Sequence, residues 1–331
     1  MAAGAYPLRI VQFGLEAGAG TLVAATAKRI GRAVFTPNIQ RHYDGFPRGV
    51  FLPDEGGGVI VGKGGTFVYE GDLTYEEIVY PLICGLQNDA VPDGAGPYTW
   101  QPFRTWTAAP TLKSATIEFV VDDGSTKHYQ REAGYGTCRQ FSISAQAGQN
   151  APAQIREEWF TRAEQTSTMT AGLTAISGRS VVPGDLFKIW IDGAWANLGT
   201  TAKTGLLRGF ELTVIPGAEP DFTLDGRSDL DYTGLRYAIA SAVLRLTMRH
   251  NADGATEVDA LRAGTERAVR LKATDGTKSV QIDIAGFYRG DPQFDNDGDV
   301  ENVTLDLHAD YEAAGTDGLK ITVVNQLATQ P

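Results

Sequence analysis

Residues 303–309 read Val-Thr-Leu-Asp-Leu-His-Ala and alternate between apolar and polar side chains. Successive side chains of an extended chain project to opposite sides, so the three apolar branched residues of this segment share one face. The same alternation occurs in Val280–Ala285 and in Phe141–Ala145. These segments predict half-buried β-strands and place the protein in the mainly β class.

Turn signals recur on both sides of these segments, along a chain that contains 39 glycines. The stretches between the turns are rich in β-branched and aromatic residues, which is typical of strands. Further strands are predicted at Ala115–Val121, Leu186–Trp190, Leu207–Ile215, Leu235–Arg249, Arg267–Ala273 and Leu319–Asn325.

Two short segments have helical periodicity. Leu73–Leu86 places apolar residues on one face and begins with Asp72 or Thr74 as the N-cap, although Pro81 interrupts a regular helix. Thr256–Thr265 is the second, with Thr256 or Asp253 as the N-cap. Each predicted helix is short and would flank a sheet.

Charge excludes one class of function. The 331 residues carry a formal net charge of -11, whereas a reader of duplex DNA needs a basic stripe to neutralise phosphates. The longest basic cluster is Lys28, Arg29 and Arg32. A chain this acidic would repel DNA, which suits a conduit that DNA must leave quickly.

No motif in the sequence predicts a catalytic residue, a cofactor site or a metal site. Four histidines lack the spacing of metal ligands: His42, His128, His250 and His308. Asp295–Asp299 resembles a calcium loop but lacks the acidic first and twelfth positions, so we interpret it as a turn between Gln281–Arg289 and Val300–Tyr311.

Carbohydrate chemistry stays open at this point. Carboxylates are numerous, so a glycosidase pair is compatible with the sequence. Five tryptophans could form a sugar platform or fill a core or a subunit interface: Trp100, Trp106, Trp159, Trp190 and Trp195.

The N-terminal sequence MAAGAYPLRIVQFG has neither a basic region nor a long apolar region, and no run approaches the ~18 apolar residues of a membrane span. We therefore expect a protein that is neither secreted nor inserted in a membrane. Cys84 and Cys138 have apolar neighbours and are interpreted as buried thiols, compatible with a reducing cytoplasm.

Short internal matches predict a duplication. Gly20–Asn38 resembles Trp195–Gly217, with Thr-Ala-Lys at 26–28 and again at 201–203. Residues 114–119 resemble 279–284, and residues 141–145 resemble 303–307. We expect two tandem β domains, 1–178 and 179–331, which meet near Gly172–Gly184.

The C-terminal stretches KSVQIDIAGFYRG (278–290), DGDVENVTLDLHADYE (297–312) and LKITVVNQL (319–327) resemble the end of tail tube proteins from long-tailed bacteriophages (siphophages). The stretches GTLVAATAKRIG (20–31) and WANLGTTAK (195–203) resemble the start of a tail tube domain. The resemblance touches most of the chain and rests on diffuse patterns.

The resemblance implies a fold and a function without catalysis. A tail tube domain is a β-sandwich with a short flanking helix, and neighbouring domains join one sheet each into a closed β-barrel around a lumen. Rings stack into the virion tail through which DNA is ejected. The implied partners are other copies of the chain, the tape-measure protein and DNA in the lumen, and the baseplate or tail-tip and tail terminator proteins. The expected site of assembly is the bacterial cytoplasm.

Within this expectation, two groups of residues receive roles. The segment Thr36–Phe67 is predicted to be a long hairpin loop that contacts the next ring, longer than its counterpart at Gly217–Asp231. Its anchors are His42, Tyr43, Phe46 and Phe51. The long strands of the second domain are predicted to form the lumen wall through Arg208, Glu211, Arg245 and Arg249.

Alternatives remain at the level of the sequence. Two tube domains per chain favour a trimeric ring of pseudo-sixfold symmetry, and a single tube domain per chain would require a hexamer. Another virion β protein, such as a terminator, baseplate or decoration protein, is a second possibility. A carbohydrate-binding β-sandwich is a third.

Overall fold

The computed structural model describes residues 9–43, 58–86, 91–101, 112–122, 127–224, 228–298, 300–310 and 318–331. This part of the chain contains nineteen β-strands and two α-helices, which confirms the mainly β class. None of its helices is long and apolar enough to cross a membrane.

The elements of the first half are β1 (Ile10–Leu15), β2 (Ala27–Arg29), β3 (Arg32–His42), β4 (Val59–Asp72), α1 (Val79–Leu86), β5 (Tyr98–Trp100), β6 (Ala115–Asp122), β7 (Lys127–Gln146), β8 (Gln154–Thr161) and β9 (Gln165–Thr166). The elements of the second half are β10 (Lys188–Asp192), β11 (Ala202–Lys203), β12 (Leu207–Ile215), β13 (Ala218–Asp221), β14 (Gly234–Tyr237), β15 (Ser241–Arg249), α2 (Ala252–Ala263), β16 (Arg267–Thr274), β17 (Ser279–Asp297), β18 (Val300–Ala309) and β19 (Leu319–Asn325).

In the first half, two antiparallel layers share one strand. Strand β1 pairs with β2 and β6, and β6 pairs with the beginning of β7, which also pairs with β9. The other layer has the order β3-β4-β8-β7, because the end of β7 pairs with β8. At 20 residues, β7 is long enough to pass from one layer to the other.

The second half repeats this pairing pattern. Strand β10 pairs with β11 and β16, β16 with β17, and β17 with β19. Its other layer has the order β12-β15-β18-β17. Each of the seven antiparallel pairings described for the first half thus has a counterpart. The helices also correspond, because α1 follows β4 and α2 follows the equivalent strand β15. The topology of the strands is duplicated.

Two of the three sequence matches align strands that are not equivalent. The Thr-Ala-Lys match places β2 on β11, which agrees with the pairings. Residues 114–119 belong to β6 and 279–284 to β17, whereas the pairings make β6 equivalent to β16. Residues 141–145 and 303–307 likewise belong to β7 and β18. Alternation with a period of two is common to every half-buried strand, so short alternating matches do not distinguish neighbours.

A loop anchor is also repeated. Glu16, just after β1, is buried, and its carboxylate accepts hydrogen bonds from Gly20 N and from the Ser114 and Thr116 hydroxyls. Asp192, at the end of β10, accepts from the backbone of the Gly199–Thr201 turn. Burial disfavours the charge of Asp192, but hydrogen bonds from the Thr201 and Thr200 side chains and from this backbone outweigh it and lower the pKa below its ordinary value. Each carboxylate holds the loop that leads to the next strand.

Both predicted helices exist, with different starts. The first is regular only from Val79, after a turn in which the Thr74 hydroxyl accepts from Glu77 N at 3.0 Å. Pro81 lies in the first turn of α1, where the missing N–H costs no helical hydrogen bond. The second begins earlier than expected, and its N-cap is Asn251, whose side chain accepts from Gly254 N. The predicted caps Thr256 and Asp253 lie inside the helix.

The predicted strand Leu235–Arg249 is wrong as a single element. The chain forms β14 and β15, separated by residues 238–240. Ala238 N donates to Gly217 O at 2.7 Å and closes a small β13–β14 hairpin, which forms a separate two-stranded sheet. The connection between β12 and β15 therefore runs from 216 to 240. It is longer than the 43–58 connection between β3 and β4, contrary to expectation.

The buried apolar residues form one main cluster that extends through both halves. Cys84, Cys138, Trp100 and Trp159 are fully buried within it, which confirms the core interpretation for both thiols and for these two indoles. The two repeated units are therefore packed on a shared interior.

Candidate assembly surface

The two halves are joined edge to edge into a single sheet. Strand β12 pairs with the end of β7 in antiparallel register, from Gly209 opposite Gln146 to Val214 opposite Phe141. The order β3-β4-β8-β7-β12-β15-β18-β17 thus forms one antiparallel sheet of eight strands. We call it the joined sheet, and the contact between β7 and β12 the internal joint.

One face of the joined sheet belongs to the core and the other is polar. At the internal joint the core-facing residues are large and buried: Phe141, Ile143, Phe210, Leu212 and Val214. The residues between them are small or polar and face outward: Ser142, Ser144, Glu211 and Thr213. The alternation that predicted the strands therefore produces a polar face across both halves.

Charges on the polar face are arranged in rows across the strands. Glu211, Arg245, Asp306 and Arg289 lie opposite one another on four consecutive strands and alternate in sign. Arg245 makes two hydrogen bonds to Asp306, at 2.9 and 3.1 Å. These hydrogen bonds, with the charges of Asp306 and Glu211, raise the pKa of Arg245.

The first half continues this balance of charge. Arg156 pairs with Glu70 at 3.0 Å, and Arg139 lies 3.6 Å from Glu158. Exposed pairs of this kind contribute at most about 1 kcal/mol each to folding. Their main consequence is electrostatic, because paired charges leave little net field over these rows.

One end of the internal joint borders a polar groove. The groove is lined by the end of β7, by the beginning of β12 with Arg208 and Glu211, and by Arg245. Three of the four predicted lumen-wall residues therefore lie together. The fourth, Arg249, is exposed at the end of β15 opposite Asn302.

Among the described residues, β3 and the second part of β17 each pair on one side only. Strand β3 pairs with β4, and residues 287–297 of β17 pair with β18 alone. These two segments are the opposite ends of the joined sheet. Each carries a large apolar side chain in solvent: Ile39 is 51% exposed and Phe294 is 47% exposed. Unpaired sheet edges with apolar side chains are templates for pairing with another chain.

Two of the predicted ring-stacking residues, His42 and Tyr43, lie at one end of β3. The predicted loop Thr36–Phe67 is wrong in its extent, because residues 36–42 belong to β3 and residues 59–67 to β4, and these two strands pair with each other. Only the connection at 43–58 lies between them. His42 is the last residue of β3, and Tyr43 follows it with its side chain exposed. Phe46 and Phe51 lie outside the described residues. The role in stacking stays a prediction.

A contact that the sequence did not indicate connects the two halves at this end of the sheet. Tyr232, in the 216–240 connection, is buried against Tyr135 and Phe160 of the first half, with ring centroids 5.0 and 5.7 Å away. Its hydroxyl donates to Tyr135 O at 2.6 Å. Asp231 beside it accepts from Ala163 N at 2.9 Å. We call this contact the clasp.

Replacing Tyr232 by alanine is expected to lower the free energy of unfolding by about 3–5 kcal/mol, because a large buried ring is lost. Tyr232→Phe removes only the hydroxyl and should cost about 0.5–1.5 kcal/mol. Ile239→Ala, in the same connection but 95% exposed, is the matched control. Equilibrium urea unfolding measures all three. Equal effects of Tyr232→Ala and Ile239→Ala would contradict the clasp.

The described part of the chain contains no group of three or more His, Cys, Asp or Glu side chains placed to hold a metal ion. The turn expected in place of a calcium loop is confirmed, because Asp297 pairs with Val300 as β17 turns into β18. The Nδ1 atom of His250 lies 2.7 Å from a carboxylate oxygen of Glu301, and its ring packs against the Phe294 ring.

Comparisons with known proteins add no family. No protein-family model matches the sequence. No curated protein matches it significantly.

Proposed function

We propose that this chain is the subunit of a hollow tube and acts as a tail tube protein of a long-tailed bacteriophage. The observation that carries the proposal is the internal joint, which merges two equivalent four-stranded layers into one sheet. In the part of the chain that the structure describes, its two end strands each pair on one side only. A sheet of this kind removes its exposed edges by closing on further copies of itself. The duplicated topology supports two tube domains per chain, and therefore a ring of three chains.

A ring of three chains would be wide enough for a DNA duplex. Three copies of the joined sheet supply roughly 24 strands, and with strands about 4.8 Å apart and tilted by about 40° the wall has a diameter on the order of 50 Å. Side chains narrow this opening, which still accommodates a DNA duplex.

The polar face of the joined sheet is the side proposed to line the channel. Its hydroxyl-bearing strands and its paired charges offer water and short-lived contacts to a passing polyanion. A basic wall would instead hold DNA through phosphate neutralisation. In this arrangement the channel works by geometry and hydration and needs no catalytic group or cofactor.

The remaining roles follow from the same proposal. Rings stack into the tail of the virion, with the connection at 43–58 as the candidate contact between rings. Before ejection the channel holds the tape-measure protein, and the ends of the tube meet the tail-tip and terminator proteins. Assembly takes place in the bacterial cytoplasm.

Electron microscopy of the concentrated purified protein tests the proposal. We expect hollow rings or tubes whose averages, viewed along the axis, have threefold symmetry with a sixfold pseudosymmetric wall. Six chains per ring would contradict the count of three. Compact monomers at every concentration, also after addition of tail-tip components, would contradict the tube.

A further inference from the structure

The internal joint provides a template for a second joint between copies of the chain. The repeated topology makes β3 equivalent to β12, and the second part of β17 equivalent to the second part of β7. At the internal joint β12 is paired with β7. The equivalents, β3 and β17, are the two ends of the joined sheet.

Equivalent residues of β3 and β12 follow from the sequence match and from packing. Counting from the matched Thr-Ala-Lys segments, Phe35 corresponds to Phe210. Each ring points to the core side and packs on another phenylalanine, with centroids 4.5 and 4.7 Å apart. Four residues later, on the same face, Ile39 corresponds to Val214.

Equivalent positions on the neighbouring strands follow from the register. Phe35 of β3 lies opposite Phe67 of β4, and Phe67 lies opposite Trp159 of β8. In the second half, Phe210 of β12 lies opposite Leu246 of β15, and Leu246 lies opposite Leu305 of β18. Trp159 and Leu305 therefore occupy equivalent positions.

The same register identifies the equivalent of Phe141. Two residues before these positions stand Glu157 in β8 and Val303 in β18. Phe141 lies opposite Glu157, and Phe294 lies opposite Val303. Phe294 is thus the counterpart of Phe141 on the other end of the joined sheet.

We infer that β3 of one copy pairs with the second part of β17 of the next, in the register that places Ile39 opposite Phe294. This inference rests on the proposed ring and specifies its closure. At the internal joint the equivalent residues, Val214 and Phe141, lie opposite each other and are fully buried. Their counterparts at the ends of the sheet, Ile39 and Phe294, are about half exposed. This exposure is expected if the second joint forms only when another copy of the chain binds.

The polarity of the neighbouring positions agrees with this register. The outward pair at the internal joint is Thr213 opposite Ser142. The same step along the inferred joint places Asn38 opposite Asp295, so an amide meets a carboxylate on the polar face. Apolar side chains would lie on the core side and polar side chains on the water side, as they do inside the chain.

Strand direction is also compatible with a closed ring. The joined sheet has eight strands linked by seven antiparallel pairings, so β17 runs opposite to β3. Copies related by rotation about the ring axis keep their strand directions. The joint between β17 and the next β3 is therefore antiparallel, like every other pairing in the wall.

Thiol cross-linking tests the register. The double variant Ile39→Cys/Phe294→Cys, assembled and treated with a short bifunctional thiol reagent, should give covalent dimers and trimers on a denaturing gel, with the ladder ending at three. The native Cys84 and Cys138 are buried and should not react. The control Val34→Cys/Phe294→Cys keeps an exposed thiol on β3, but about 17 Å from the inferred partner along the strand, and should give no ladder.

The outcomes separate the joint from the ring. Rings that assemble but show no cross-link, or equal cross-linking in the control, overturn the register and leave the proposed tube standing. Hydrogen exchange on the unmodified protein provides a second measurement, because assembly should protect the amides of β3 and of residues 287–297. Unchanged exchange in assembled rings overturns the joint. Failure of the unmodified protein to assemble overturns the ring and the joint together.

Discussion

Replacing Ile39 by lysine is expected to abolish the assembly of rings and tubes while leaving the isolated chain folded. The counterpart of Ile39 at the internal joint is fully buried, so a lysine at 39 would have to bury an unpaired ammonium group for the ring to close. In the isolated chain the side chain is about half exposed, so the free energy of unfolding should change by less than about 0.5 kcal/mol. Sedimentation velocity and electron microscopy measure assembly, and urea unfolding measures the fold.

The neighbouring residue provides the control for this variant. Gln40 is also exposed and precedes the bulge in the pairing of β3 with β4, but its side chain projects to the polar face. Gln40→Lys adds the same charge to the same strand and should assemble at the concentration of the unmodified protein. Tubes of Ile39→Lys at that concentration would exclude a buried role for this position.

Replacing Glu157 by alanine is expected to lower the free energy of unfolding by about 3–5 kcal/mol, because it leaves a buried arginine without its counter-ion. Arg29 and Glu157 are both fully buried and make two hydrogen bonds of 2.7 Å. The guanidinium also lies 3.8 Å from the centre of the Tyr69 ring. Burial opposes the charge of Arg29, but Glu157 and Tyr69 outweigh it and hold its pKa above the ordinary value.

The adjacent carboxylate is a matched control for this prediction. Glu158 is partly exposed and lies 3.6 Å from the exposed Arg139, so Glu158→Ala should cost less than about 1 kcal/mol. The double variant Arg29→Met/Glu157→Leu removes both charges and should be less destabilised than Glu157→Ala. Urea unfolding of the three variants decides the matter. Similar losses for Glu157→Ala and Glu158→Ala would refute the argument from burial.

The strength of the alternating pattern explains which strands could be predicted. Leu207–Ile215 and Leu319–Asn325 have in the structure the bounds expected from the sequence. Each has one buried face, so a shift of one residue would expose every apolar side chain, and the sequence therefore specifies the strand closely. The break inside 235–249 was missed because it depends on a distant contact. The chain leaves the sheet there to bring Tyr232 against Tyr135 and Phe160.

The candidate surface was predicted only in part. Glu211 and Arg245 were expected on a long strand facing a polar space, and the alternation of β12 and β15 places them there. Ile39 and Phe294 were not singled out, because nothing local distinguishes an apolar residue at a sheet end from one in a core. Only the set of strand pairings shows that Val214 lies inside the sheet and Ile39 at its end.

The sequence alone determined the mainly β class, the two short helices, the positions of most strands and the signs of a duplication. These depend on local periodicity and on residue type, which a single segment carries. Tertiary structure alone decided which strands are equivalent, the fusion of the two halves at the internal joint, the clasp and the identity of the two unpaired sheet ends. These features depend on contacts between segments that are distant in sequence, such as the 63 residues between Gln146 and Gly209 and the 97 between Tyr135 and Tyr232. Side chains with the same alternation can pair in many ways until a shared core selects one.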